Sequence, residues 1–237
     1  MSQIVERLKK SKATSLIILL NLIVFIMVVA NGGFNSSNLV CFGASNSDLI
    51  LQGQYYRVFT QLFVHHSYFH FVFNMIVIFL MAPSIENKFG PYVVISVFLL
   101  AGLVDELISL LVLDKWEAGG GASTGYFALY GLAIGTLFFY KDENLQRWAR
   151  SFILPMVFVM LVSEIYFRIR SGSPDFIFAY SQSHIAGLFV GLILSGVFLP
   201  KGYGLDKRIR AFFVIFLVVL LVLLFFLAFF KKIECNY

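Results

Sequence analysis

The chain has 237 residues, of which 59% are hydrophobic, only 13% are charged and 28 are phenylalanine. That balance excludes an ordinary water-soluble domain and makes the chain an integral membrane protein. Its net charge of +5 is not gathered into a basic patch, so a nucleic-acid partner is not expected.

Crossing roughly 30 Å of hydrocarbon takes about 20 apolar residues. Seven runs qualify, near residues 14–31, 67–85, 91–112, 119–140, 151–168, 183–199 and 211–230. The first follows a basic start, MSQIVERLKKSK. Its apolar stretch is at the upper limit for a cleaved signal, so it reads as an uncleaved anchor. With the amino terminus inside, twelve of the eighteen Lys and Arg fall on inner segments. The outer segments hold Arg57, Lys115, Arg168, Arg170, Lys231 and Lys232. This bias predicts a cytoplasmic amino terminus and an external carboxy terminus. Cys41 and Cys235 both fall on the outer side, where they can pair or remain two thiols. Two such cysteines cannot build a zinc cluster from thiolates alone.

Polar groups inside a bilayer are costly and mark function or a buried partner. The second span carries FVHHSYFHFVFNMIVIF, with His70 and Asn74 four apart on one helix face. The fourth run begins EAGGGASTGYFALYG, which presents Ser123 and Thr124 after three glycines. The sixth contains SQSHIAGLFVGLILSG, with His184 near its start. Under the predicted topology all three spans enter from outside, so His70, Ser123 and His184 share one depth. Asp105 and Glu106 in the third span, and Glu164 in the fifth, either line a polar interior or mark displaced boundaries. His66 is expected to face solvent or headgroups.

Small residues recur at close to four-residue spacing in two of these helices. His184, Gly187, Gly191 and Ser195 form one stripe, and Ser123, Phe127, Gly131 and Gly135 form another. Such stripes let membrane helices approach closely, and if they face each other Ser123 meets His184. A histidine beside a hydroxyl takes its proton and makes it a nucleophile. The His70 ring, the Asn74 amide and the Ser123 backbone N–H are suitable donors for the oxyanion that follows.

These motifs resemble those of the rhomboid intramembrane serine proteases. The matching stretches are GASTGYFALYG, the series His65, His70 and Asn74, SHIAGLFVGL, YYRVFTQLFVHH and SIENKFG. The resemblance covers about residues 55–196. It implies an all-α polytopic membrane bundle: a cytoplasmic segment at 1–13, a six-helix rhomboid-like domain at 14–199, and a linker with a seventh transmembrane helix at 200–237. It further implies Ser123 as nucleophile, His184 as general base, His70 and Asn74 at the oxyanion hole, and Arg57 and Glu86 anchoring the first loop. The implied substrates are single-span membrane proteins cut near the outer leaflet of what is read as a bacterial plasma membrane. No cofactor, metal or nucleotide is implied, and the partners are substrate helices and the lipid bilayer.

One departure stands out. The family carries glycine after the serine, and this chain has Thr124, whose branched side chain is expected to crowd the contact between the fourth and sixth spans. The main rival is therefore a proteolytically silent rhomboid-like protein that binds transmembrane helices. A metal or haem protein built on His66, His70 and His184 lacks carboxylate ligands and any His-Glu-x-x-His run. A transporter lacks paired broken helices.

Overall fold

The computed structural model describes residue 6 and residues 10–113, 118–171 and 174–234. Arg7, Lys9, Lys115 and Cys235, and with Cys235 any pairing to Cys41, lie outside the described residues. The described chain is helical, with one isolated β-bridge, Ser45 to Gly119. Its elements are α1 (Lys12–Ala30), α2 (Ser36–Cys41), α3 (Ser47–Leu51), α4 (Arg57–Thr60), α5 (Tyr68–Phe89), α6 (Pro91–Val112), α7 (Ser123–Phe139), α8 (Glu143–Arg150), α9 (Ile153–Ser171), α10 (Pro174–Leu194) and α11 (Lys207–Glu234). Each of the seven apolar runs falls mainly on a helix. Five described helical stretches, Lys12–Ala30, Tyr68–Phe89, Pro91–Val112, Glu143–Tyr166 and Lys207–Leu227, are long and apolar enough to cross a membrane. Ser123–Phe139 is a shorter apolar helix, and Ser181–Leu194 is the apolar part of the 21-residue α10. Of the seven spans expected, five described stretches meet the length and hydropathy of a membrane crossing.

The shortness of α7 follows from how the glycines before it are held. Gly121 sits at φ +148°, a conformation an L side chain rarely adopts, and the first i to i−4 bond of α7 is donated by Tyr126 N–H to Ala122 O at 3.1 Å. At 1.5 Å per residue the 17 residues of α7 span about 25 Å, several ångströms less than the hydrocarbon core. Nearly every residue of α7 from Ser123 to Thr136 is buried, so it is the central helix, hydrophobic on all faces.

The other helices surround it. The tightest pairing is between α7 and α10, with α6 against both. Gly90, at φ +97°, breaks the chain between α5 and α6, and Pro91 begins α6 where its missing N–H costs nothing. Ser67 caps α5 by accepting from His70 N–H at 3.1 Å, which fixes His70 in the first turn. The final helix α11 packs mainly on α6, with Phe213 seated over Gly196.

Residues 31–67 fold into a compact cap at the Ser123 end. Arg57, only 4% exposed, donates from Nη1 to the carbonyls of Val40 and Ala44, each at 2.8 Å. Glu86 does something other than expected. At the opposite end of the bundle it accepts from Ala13 N–H at 3.0 Å, Thr14 N–H at 2.9 Å and the Thr14 hydroxyl at 2.8 Å. A carboxylate on three donors at a helix N-terminus anchors α1, not the first loop.

Candidate active site

The two small-residue stripes face each other across α7 and α10. A Cβ added at Gly187 would strike the Thr124 carbonyl oxygen and come 3.3 Å from Phe127 Cβ. One added at Gly191 would strike Ala128 O and lie 2.7 Å from Ala128 C. Gly131 is pressed on Leu188 O, and Gly135 on the Ser195 side chain. The helices therefore touch backbone to backbone along more than two turns, as small residues permit.

At the upper end of this contact the His184 ring lies on Phe127, centroids 4.4 Å apart and planes at 35°. Phe127 is one turn below Ser123 on the same face, and Gly187, one turn beyond His184, abuts Thr124. Ser123 and His184 thus occupy one level on adjoining helices, and both are buried, 4% and 3% exposed. No hydrogen bond joins Ser123 Oγ to His184 Nε2 in this structure. Bonds of this kind are often open without substrate and tighten in the Michaelis complex.

His70 comes in from α5. Its Nε2 is 2.9 Å, and Ser123 Oγ 3.5 Å, from the point where a Cβ of Gly121 would stand. Two groups are therefore within reach of one small volume that only glycine leaves open. Gly120 is equally constrained, because a Cβ there would lie 2.8 Å from Gln61 O and 3.0 Å from Val64 O. The glycines before Ser123 serve close approach to residues 61–64 and to His70, as well as an irregular start to the helix. Asn74, 1% exposed, gives one amide N–H to His65 Nε2 at 2.9 Å, which leaves its second N–H for another acceptor.

A cavity of about 120 Å³ opens beside Ser123, walled by Gly119, Gly120, Gly121, Thr124, Asp105 and Glu106 among others. That is room for several waters or one extended side chain. Among the described residues no group of three or more His, Cys, Asp or Glu is placed to hold a metal ion.

The family model for the Rhomboid domain matches residues 52–201. The chain belongs to the rhomboid family. It is 26% identical over 202 residues to the rhomboid protease GluP of Bacillus subtilis (strain 168), covering 84% of this chain and 38% of that protein. Rhomboid-like protease 2 of Toxoplasma gondii is 34% identical over 99 residues, 42% of this chain and 35% of its own. Rhomboid-like protease 1 of the same organism is 28% identical over 155 residues, 65% and 50% of the two chains. The chain spans half or less of the length of these three relatives.

Several residues around this candidate site carry more than the sequence suggested. His66 is half-buried and lines the cavity, with its Nε2 enclosed. Asp105 and Glu106 are 3% and 2% exposed and do line a polar interior. Glu106 accepts from the Ser45 hydroxyl at 2.7 Å and from Gln61 Nε2 at 3.0 Å, which ties the cap to α6. Thr124, which is buried, is bonded to one of these acids. Its hydroxyl donates to Asp105 Oδ2 at 3.2 Å, toward α6. The chain residue nearest Gly187 is Thr124 through its carbonyl, a group every amino acid carries. Sequence signals for these roles existed, in two adjacent carboxylates within an apolar span, but nothing in the pattern said which donors they meet.

Proposed function

We propose that this chain is an intramembrane serine endopeptidase in which Ser123 is the nucleophile and His184 the general base. The arrangement that supports this reading is the glycine-faced contact of α7 with α10, which carries a hydroxyl and an imidazole to one level beside a polar cavity. Ser123 Oγ attacks the scissile carbonyl carbon as its proton passes to His184. The oxyanion so formed meets His70 Nε2–H, the second Asn74 N–H and the Ser123 backbone N–H at the start of α7. His184 returns the proton to the leaving amine. Water entering from the cavity then attacks the acyl carbon, giving its proton to His184, which passes it to Ser123 Oγ as the ester bond breaks and the acid product leaves.

The substrates are single-span membrane proteins cut near the outer leaflet. A membrane helix has its backbone groups bonded internally, so it has to unwind at the cut, which favours small or helix-breaking residues there. The charge bias of the connecting segments supports a cytoplasmic amino terminus and an external carboxy terminus. The proteolytically silent alternative drew on Thr124 crowding the α7–α10 contact. Against that crowding, the Thr124 hydroxyl is bonded to Asp105, which gives the side chain a partner on α6.

The deciding experiment is labelling of the purified, detergent-solubilised chain by a fluorophosphonate, together with cleavage of a model single-span substrate. Both are expected in the wild type and lost in Ser123→Ala. Cleavage that persists in Ser123→Ala overturns the assignment, and absence of both in the folded wild type leaves the silent reading.

A further inference from the structure

We infer that Asp105 is a positioning residue that fixes how α7 and α10 are rotated about their own axes, and so where Ser123 and His184 point. The inference rests on the dyad reading above and goes beyond it, because the α7–α10 contact alone does not settle rotation. Flat faces of glycine set the distance between two helices but resist turning or sliding only weakly. A second, directional contact is needed at the catalytic level, and α6 supplies it.

The Asp105 carboxylate accepts from Thr124 Oγ1 at 3.2 Å and, through its other oxygen, from Gln182 Nε2 at 3.0 Å. Thr124 directly follows Ser123, and Gln182 precedes His184 by two. Successive helical residues are about 100° apart, so a tether on Thr124 fixes the azimuth of Ser123, and one on Gln182 fixes that of His184. The Gln182 amide is held at both ends, because Ser109, one turn beyond Asp105, donates to its Oε1 at 3.2 Å. Asp105 has no Lys or Arg among the described ion pairs. The Ser183 hydroxyl, beside His184, donates to the same carboxylate, so the buried charge is met by three donors and each one lost removes part of that compensation. That penalty makes the brace stiff. It also accounts for threonine in place of the family's glycine: the position supplies a hydroxyl to an acid.

Loss of the brace allows rotation. A turn of about 20° moves a Cα lying 2.3 Å from the axis by about 0.8 Å, and misplacement near 1 Å can cost about 100-fold in rate. Inactivation by a fluorophosphonate is therefore measured as a saturating rate and a half-saturating concentration. Thr124→Val, which keeps the branched shape and removes the hydroxyl, is expected to lower the saturating rate 10- to 100-fold and leave half-saturation within twofold. Thr124→Ser restores the hydroxyl and stays within threefold of wild type. Thr124→Val combined with Asp105→Asn falls no further than the worse of the two alone. A Thr124→Val rate within twofold of wild type, multiplying effects in the double variant, or a Thr124→Gly variant faster than wild type would each overturn the brace. Its existence is also read without catalysis, from unfolding midpoints of the same variants. Midpoint shifts that do not add support it, and shifts that add overturn it, whether or not the wild type is labelled. Loss of labelling in Ser123→Ala tests the dyad separately.

Discussion

Gly191 offers the sharpest test of the contact between α7 and α10. A methyl group there would overlap Ala128 O and stand 2.7 Å from Ala128 C and 2.8 Å from Leu132 N. All three are backbone atoms of α7, so no rotamer change relieves the overlap. Carbon atoms rest at about 3.5 Å or more, so the helices have to part by about 1 Å in Gly191→Ala. Overpacking of this kind costs about 1–3 kcal/mol of stability, which a folded membrane protein can survive. Catalysis is more sensitive, because the same 1 Å is added between Ser123 and His184 two turns away and is expected to lower the rate about 100-fold. The assay is fluorophosphonate labelling against time, normalised to the folded fraction from a thermal melt. Gly204→Ala, where a Cβ meets nothing within 4 Å, is the control and stays within twofold of wild type. Labelling of Gly191→Ala at the wild-type rate, or a loss no larger than its unfolded fraction, refutes the reasoning.

Three further outcomes follow from the geometry. His70→Ala and Asn74→Ala each remove a proposed oxyanion donor, and steady-state cleavage should show kcat down about 100-fold or more with KM little changed. Glu86→Ala strands two buried N–H groups and a hydroxyl at the start of α1. Thermal unfolding in detergent should report a loss of about 3 kcal/mol, with the residual rate of the folded fraction unchanged because Glu86 lies at the far end of the bundle. Arg57→Met releases the Val40 and Ala44 carbonyls, and limited proteolysis of the 31–67 cap should become faster at an overall stability cost of about 2 kcal/mol.

Periodicity made the helices and their pairing legible. Gly131, Gly135, Gly187 and Gly191 announced which faces touch, because small residues at that spacing have one physical use in lipid, and the structure brings them together. The polar residues at one depth were legible for a related reason, the expense of placing them there. Three things were not. The shortness of α7 depends on backbone contacts of Gly120 and Gly121 with residues 61–64 and His70, which are remote in sequence. The partner of Glu86 is the start of α1, more than seventy residues earlier, and no local pattern encodes a separation of that size. The direction of the Thr124 side chain depends on helix rotation, which spacing in one helix does not specify until a neighbour offers a partner.

Asp105 and Glu106 show how that missing information is stored. Adjacent residues on α6 point about 100° apart, and the two carboxylates accordingly serve different elements. Glu106 holds Ser45 and Gln61, and through the Ser45 to Gly119 bridge it steadies the glycine approach to Ser123. Asp105 holds Thr124 and Gln182, one beside each proposed dyad residue. Two buried acids without a described counter-cation are costly in an apolar bundle, and packing alone would be better served by leucine. Their retention at the wall of the cavity makes sense if specification of geometry at Ser123, rather than stability, is what they contribute. The consequence is a measurable asymmetry: Glu106→Gln, which keeps the shape and some of the hydrogen bonding, should raise or preserve the unfolding midpoint while slowing the labelling of Ser123. A variant that loses midpoint and rate in proportion would instead make Glu106 an ordinary structural tie.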